Sequence, residues 1–214
     1  MIRILNSSFK TTSVITEETS FLYNSKFADV GNFEFSVPCE KVTSIPQSGT
    51  FCHFSEGDVY GIIRYISVDG KYLTVKGYDL KGLLKQRVVH PGEWTGTPEQ
   101  IIRTIVTENT GGTRAFPLFK IISTSLTTDS VLYKLESSKQ LDTVVSELCE
   151  IYSLGYTITY DGTNINFRVV QGTKKKGITF SDAFGSFTDY SYTSDALTAA
   201  NVCYNRAVPS GMSV

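Results

Sequence analysis

Reactive side chains are scarce in this sequence. It holds two histidines, His53 and His90, one tryptophan, Trp94, and four cysteines, none of them in a C-x-x-C pair. A metal site built on histidine wants a second His or Cys a few positions away, and neither histidine has one. Cys39, Cys52, Cys149 and Cys203 are too widely spaced for a zinc ribbon or a redox motif. No G-x-S-x-G elbow is present to carry a nucleophilic serine. The one adjacent acidic pair, Glu17-Glu18, points to opposite faces of an extended chain, so it does not make the converging carboxylates of a glycosidase. No glycine-rich phosphate loop is seen, and Gly111-Gly112 has the pattern of a helix stop. These absences argue against an enzyme, a metal centre and a bound cofactor.

Charge of one sign is lacking too. Twenty basic residues face twenty-one acidic ones, for a net charge of −1, with no block of five like charges. Nucleic-acid binding rests on dense neutralisation of phosphates, so no such partner is expected. The run at 174–176 (KKK) reads as a solvated loop. Long apolar runs are missing as well: no segment approaches the roughly 20 residues of a membrane span. The opening "MIRILNSSFK" has no apolar signal-peptide core, which points to synthesis in a cytoplasm with reduced thiols.

What is present is pattern. Candidate strands fall at 2–6, 20–27, 32–38, 50–54, 61–68 and 71–77. In "NFEFSVP", Phe33, Phe35 and Val37 alternate with Glu34 and Ser36, the period of a half-buried strand. Asp69-Gly70 between two such runs predicts a hairpin with a type I′ turn. Strict alternation then puts Ile62, Ile66 and Val68 on one face, with Ile63 and Tyr65 on the other. "YDLKGLLKQ" predicts one or two helical turns. Further on, "TGTPEQIIRTIVTENTGG" carries a Thr97 cap, Pro98 at the first helical position and Gln100 to close a capping box. A second helix is predicted from a Ser137–Gln140 capping box, with a stripe of Leu141, Val144, Val145, Leu148 and Tyr152, and a stop at Gly155. Cys149 beside that stripe reads as a small buried hydrophobe. Strands are predicted in "FKIIS" and "SVLYKL", a hairpin around Asp161-Gly162, and two more strands at 186–193 and 201–208.

The class is therefore α+β, mostly β. A small β-barrel-like domain is expected over 1–90, an inserted two-helix α+β domain over 91–172, and strands over 173–214 that return to the barrel or start a second, truncated one.

The order "GIIRYISVDGKYLTVKGYDLKGLLKQRVV", "GTPEQIIRTIVTEN", "SSKQLDTVVSEL", "GYTITYDGTNINFRV", "NVCYNRAV" resembles tail-tip or baseplate hub proteins of long-tailed bacteriophages, relatives of the central hub of contractile tails. The resemblance implies a phage or prophage tail component that forms the hub ring between tail tube and tip or baseplate. It implies a homotrimer, partners among the tail tube or distal tail protein and the tip protein, and a place in the virion tail. Relatives continue past the last motif, so a fragment or a shortened member is expected, and any hydrolase domain would lie outside these residues. The oligomer contact is expected on the hairpin, at Ile62, Ile63, Tyr65, Ile66, Val68, Tyr72, Leu73 and Val75. The rival is a carbohydrate-binding β-domain of a receptor-binding tail protein or adhesin, resting on Trp94 with Tyr190 and Tyr192.

Overall fold

The alternation in "NFEFSVP" is realised as a strand, Asn32–Pro38, whose Phe33, Phe35 and Val37 are buried and whose polar residues are not. The computed structural model describes residues 1–42, 45–124, 126, 128–173 and 177. Residues 1–173 form one unit and 174–214 a second. The strands expected at 186–193 and 201–208, the basic run at 174–176 and Cys203 lie outside the described residues.

Seven strands make the first sheet: β1 (Ile2–Leu5), β2 (Thr11–Ile15), β3 (Ser20–Asn24), β4 (Asn32–Pro38), β5 (Phe51–Phe54), β6 (Val59–Asp69) and β7 (Tyr72–Asp79). Their order is β2-β1-β5-β6-β7-β4-β3, antiparallel throughout. β2 and β3 are the two ends and do not pair with each other, so the sheet is open. The mostly-β class stands, but the expected barrel is not closed among the described residues. β2 was not anticipated, because "TTSVI" carries threonines and a serine where an edge strand can afford polar side chains.

The β6–β7 hairpin departs from expectation in two ways. Asp69 pairs with Tyr72, so the loop is Gly70-Lys71, and of these only Gly70 has a positive φ, 55°. That is the φ pattern of a type II′ turn, in which glycine takes the first central position, rather than of type I′. The register also shifts between Ile63 and Tyr65, leaving Arg64 as the extra residue of a β-bulge. The bulge inverts the facing of everything beyond it. Ile63 and Ile66 lie against the same core, with Leu73 and Val75, while Ile62 belongs to the other core.

The first core is the covered face of the large sheet: Ile2, Ile15, Phe35, Phe54, Ile63 and Val75 are among its members. The second gathers around two helices. After β7, the Asp79 carboxylate accepts the backbone N–H of Lys81 at 3.1 Å and opens a 3₁₀ helix, Leu80–Gln86, that buries Leu80, Leu83 and Leu84. Then come β8 (Val88–Val89), β9 (Gly92–Gly96), α1 (Pro98–Thr110), β10 (Phe119–Ile122), β11 (Val131–Leu135), β12 (Lys139–Gln140), α2 (Leu141–Ile151), β13 (Leu154–Tyr160) and β14 (Ile165–Gln171). β14 is central, parallel to β10 and antiparallel to β13.

α1 begins as its sequence dictates: the Thr97 hydroxyl accepts the Gln100 N–H at 3.3 Å, and the Gln100 side chain accepts the Thr97 N–H at 3.0 Å. α2 begins later than its sequence implies. Lys139 and Gln140 pair with β8, and the Leu141 N–H donates to the Arg87 carbonyl, so the ladder claims the backbone that the Ser137 cap would have used. The stripe Leu141, Val144, Val145 and Leu148 is buried as expected, and so is Cys149, whose thiol burial pushes up to about 12. The helix ends at Ile151 and the chain turns at Ser153, φ 54°, rather than stopping at Gly155, which lies inside β13 beneath the ring of Phe27.

Two glycines separate turn chemistry from close approach. A Cβ at Gly70 meets nothing within 4 Å, so its constraint is the positive φ alone. A Cβ at Gly77 would press on the Ile62 carbonyl oxygen and lie 2.5 Å from Phe33 Cζ. Gly70→Ala is expected to cost about 1 kcal/mol of stability, and Gly77→Ala at least about 2 kcal/mol, read as urea midpoints. The reverse ranking would contradict this packing.

Candidate functional site

A lysine embedded in an apolar run, "YDLKGLL", sets the geometry of the site. Lys81 is buried on the 3₁₀ helix, and its ammonium donates to the carbonyls of Lys26, Phe27 (3.3 Å) and Asp29 (3.0 Å). It also sits 4.6 Å from the centroid of the Tyr156 ring, close enough for a cation–π contact. The lysine thus ties the loop after β3 to β13. Asp79 provides a second tie: its Oδ2 accepts the Gly31 N–H at 3.1 Å while Oδ1 caps the 3₁₀ helix. Burial raises the Asp79 carboxyl to about 6, against the Lys81 charge and the two amide hydrogen bonds. Burial likewise pulls Lys81 below the usual lysine range, against the Asp79 charge. Asp29 lies below the usual carboxylate range. Its partial burial opposes ionisation, but Lys26 Nζ at 2.7 Å and the Val30 N–H at 2.7 Å outweigh it.

Above this pair opens a cleft of about 570 Å³ between the large sheet and β13. Tyr23, Phe27, Tyr60, Tyr156 and Tyr160 give it aromatic walls, with Asp58 at one side. Tyr60 packs edge-on to Tyr160, at 5.4 Å between centroids, and stacks on His53 at 4.4 Å. His53 Nε2 lies 2.7 Å from Asp58 Oδ1, so this histidine orients the loop at the cleft. Among the described residues no group of three His, Cys, Asp or Glu side chains could hold a metal ion. His90 lies 3.4 Å from the Ser138 hydroxyl. Trp94 anchors β9: its indole N–H donates to Glu108 at 3.1 Å and its ring stacks on Tyr133. Tyr190 and Tyr192 lie outside the described residues.

The hairpin residues singled out for an interface separate by depth. Ile62, Ile63, Leu73 and Val75 are buried in the chain's own two cores, and Ile66 packs against one of them. Tyr65, Val68 and Tyr72 are 53%, 51% and 47% exposed. Tyr65 lies opposite Lys76, and Lys76 pairs with Glu34 at 2.9 Å, which puts these side chains on the sheet face away from the first core. Tyr72 alternates with Thr74 and Lys76 onto that same face. Leu22, also exposed, joins Tyr65 around a shallow depression there.

The family model for the Siphovirus ReqiPepy6 Gp37-like protein matches residues 1–207. No curated protein matches. The fold is similar to that of prophage tail protein gp18 from Listeria monocytogenes EGD-e, at 15% identity and TM-score 0.58, over 91% of this chain and 56% of that one. It is similar also to a 43 kDa tail protein of prophage MuSo2 from Shewanella oneidensis, at 17% identity and TM-score 0.53, over 83% and 55% of the two chains. A tail protein from Neisseria meningitidis MC58 aligns at 13% identity and TM-score 0.50, over 78% and 49%. At these identities the likeness is one of fold, and the chain spans about half the length of each of the three.

The buried carboxylate makes stability depend on pH. With its folded value raised to about 6, Asp79 holds a proton more tightly folded than unfolded, where it titrates near the ordinary 3.8. Its contribution is fully present below that ordinary value and is lost as pH rises through about 6. Asp79→Asn removes the titration. Relative to the parent, the variant is expected to gain about 3 kcal/mol in urea unfolding between pH 3.5 and pH 7, the equivalent of two pKa units. A difference that does not change with pH would refute the assignment.

Proposed function

Because the chain belongs to the Siphovirus ReqiPepy6 Gp37-like protein family, we propose that it is a structural component of a phage or prophage tail, forming the hub ring that joins tail tube to tail tip or baseplate. The observation that carries this reading is the family match over nearly the whole chain; the fold shared with three prophage and bacterial tail proteins supports it. The mechanism is assembly rather than catalysis. Copies of the chain bury preformed surface against one another in a closed homotrimer, as cyclic symmetry requires of a ring, and meet the tube or distal tail protein on one side and the tip protein on the other.

The outward part of the β6–β7 hairpin is the contact we assign to the ring. Tyr65 and Tyr72 carry large, partly polar rings on an open sheet face, the side-chain type that protein interfaces favour. Val68 lies past the end of the first core, where a neighbour can cover it. These three can change without disturbing the chain's own packing, which separates an assembly defect from a folding defect.

Immunogold labelling of intact virions with antibody to this chain tests the location: label is expected at the distal end of the tail tube. Label along the tube or on the head would contradict the hub. Light scattering of the full natural protein is expected to give three times the monomer mass. Tyr65→Glu with Tyr72→Glu is expected to weaken trimer formation at least tenfold, about 1.4 kcal/mol, with an unchanged melting profile of the dissociated chain. A strict monomer from the unaltered protein would refute the ring.

A further inference from the structure

The cleft beneath Tyr60 has one wall that is an unpaired strand edge. The Asp161 N–H donates to the Asn164 carbonyl at 3.1 Å, which closes the β13–β14 hairpin on a hydrogen-bonded pair. Bonded and non-bonded pairs alternate along an antiparallel ladder. Thr159 with Asn166 and Thr157 with Arg168 are therefore bonded, and the backbones of Tyr160, Ile158 and Tyr156 face away from β14. Tyr156 confirms the parity, since its N–H donates outward to the Phe27 carbonyl at 3.3 Å. On the other side of β14, Ile165 donates to the Leu118 carbonyl, again as this alternation requires. The outward N–H and C=O of Ile158 and Tyr160 have no partner among the described residues. Both residues line the cleft, and Ile158 is only 7% exposed.

We propose that this cleft seats an extended peptide segment of a partner protein, added as a fourth strand to the β10–β14–β13 sheet along the β13 edge. Backbone groups set out in a row and half withdrawn from water bind best to another backbone, the mode known as β-augmentation. The two open rungs at Ile158 and Tyr160 lie one strand repeat apart, roughly 7 Å. A volume of about 570 Å³ accommodates a short segment with its side chains. The segment is neutral, because every charge around the cleft is already engaged: Lys26 with Asp29, Lys81 with three carbonyls, Asp79 with two amides, and Asp58 with His53. Its outward side chains are apolar or aromatic, to meet Tyr23, Phe27 and Tyr60. This slot is separate from the hairpin face assigned to the ring and does not depend on that assignment.

The test uses the full chain and a terminally blocked pentapeptide, Thr-Val-Tyr-Val-Thr, followed by NMR. Saturable binding is expected, with slowed amide exchange at Ile158 and Tyr160. N-methylation of the peptide amides on one edge is expected to weaken binding at least tenfold, while methylation on the other edge has a small effect. No saturation up to roughly 1 mM would overturn the proposal. So would equal binding of the two methylated peptides, or protection confined to the β2 or β3 edge.

Discussion

A buried ammonium has to find oxygen atoms, and the position of Lys81 decides how the two parts of the described chain meet. Its side chain leaves the 3₁₀ helix and reaches three carbonyls of the loop that follows β3, some fifty residues earlier in sequence. Those carbonyls lie in the irregular segment between β3 and β4, where, among the described residues, only that of Phe27 also takes a strand amide, from Tyr156. The lysine therefore satisfies the loop as much as the loop satisfies the lysine. Removing either member leaves the other buried and unpaired, which costs several kcal/mol. Asp79 adds a compensating charge and fixes both ends of the same arrangement, one oxygen on Gly31 and the other on the helix start. The cleft floor and the aromatic wall at Tyr156 are held by this contact.

The hairpin that follows the β5 strand is shared between two cores, and the bulge at Arg64 makes the sharing possible. Without the extra residue, Ile62 and Ile66 would fall on one face. With it, Ile62 packs among α1, α2 and the 3₁₀ helix, while Ile63 and Ile66 cover the large sheet. The apolar residues on both faces at the hairpin's base are therefore accounted for within a single chain. Only Tyr65, Val68 and Tyr72 near the tip are left facing solvent.

Local grammar was legible where one short stretch decides the outcome. The strand Asn32–Pro38, the Thr97–Gln100 capping box and the buried stripe of α2 are written in neighbouring residues. Features decided by distant residues were not legible. The pairing of Lys139-Gln140 with Val88-Val89 took over the start of α2, and the Phe27 ring explains Gly155 better than a helix stop does. The openness of the large sheet depends on whether β2 and β3 meet, which alternation cannot reveal. The cleft was invisible for the same reason, since Tyr23, Asp58, Asp79 and Tyr160 come from four separate elements. One signal could have pointed to it: a lysine between leucines in "YDLKGLL" has to be buried with partners or exposed at the expense of the run.

What the described residues leave uncommitted bears most directly on function. Several of the described groups able to do acid–base chemistry hold the architecture. Asp79 and Lys81 are locked to backbone, His53 to Asp58, Glu99 to the Thr124 amide and to Arg103, and Cys52 and Cys149 are buried thiols raised out of the reactive range. Among the described residues, the elements left open are of another kind: the outward rungs of β13 at Ile158 and Tyr160, and aromatic rings on an open sheet face. Unpaired strand edges invite other backbones, and natural proteins normally blunt or cover them. A chain that offers an open strand edge and exposed rings is chemically equipped to bind polypeptides. For a protein of this family, that favours a role defined by which neighbours it joins.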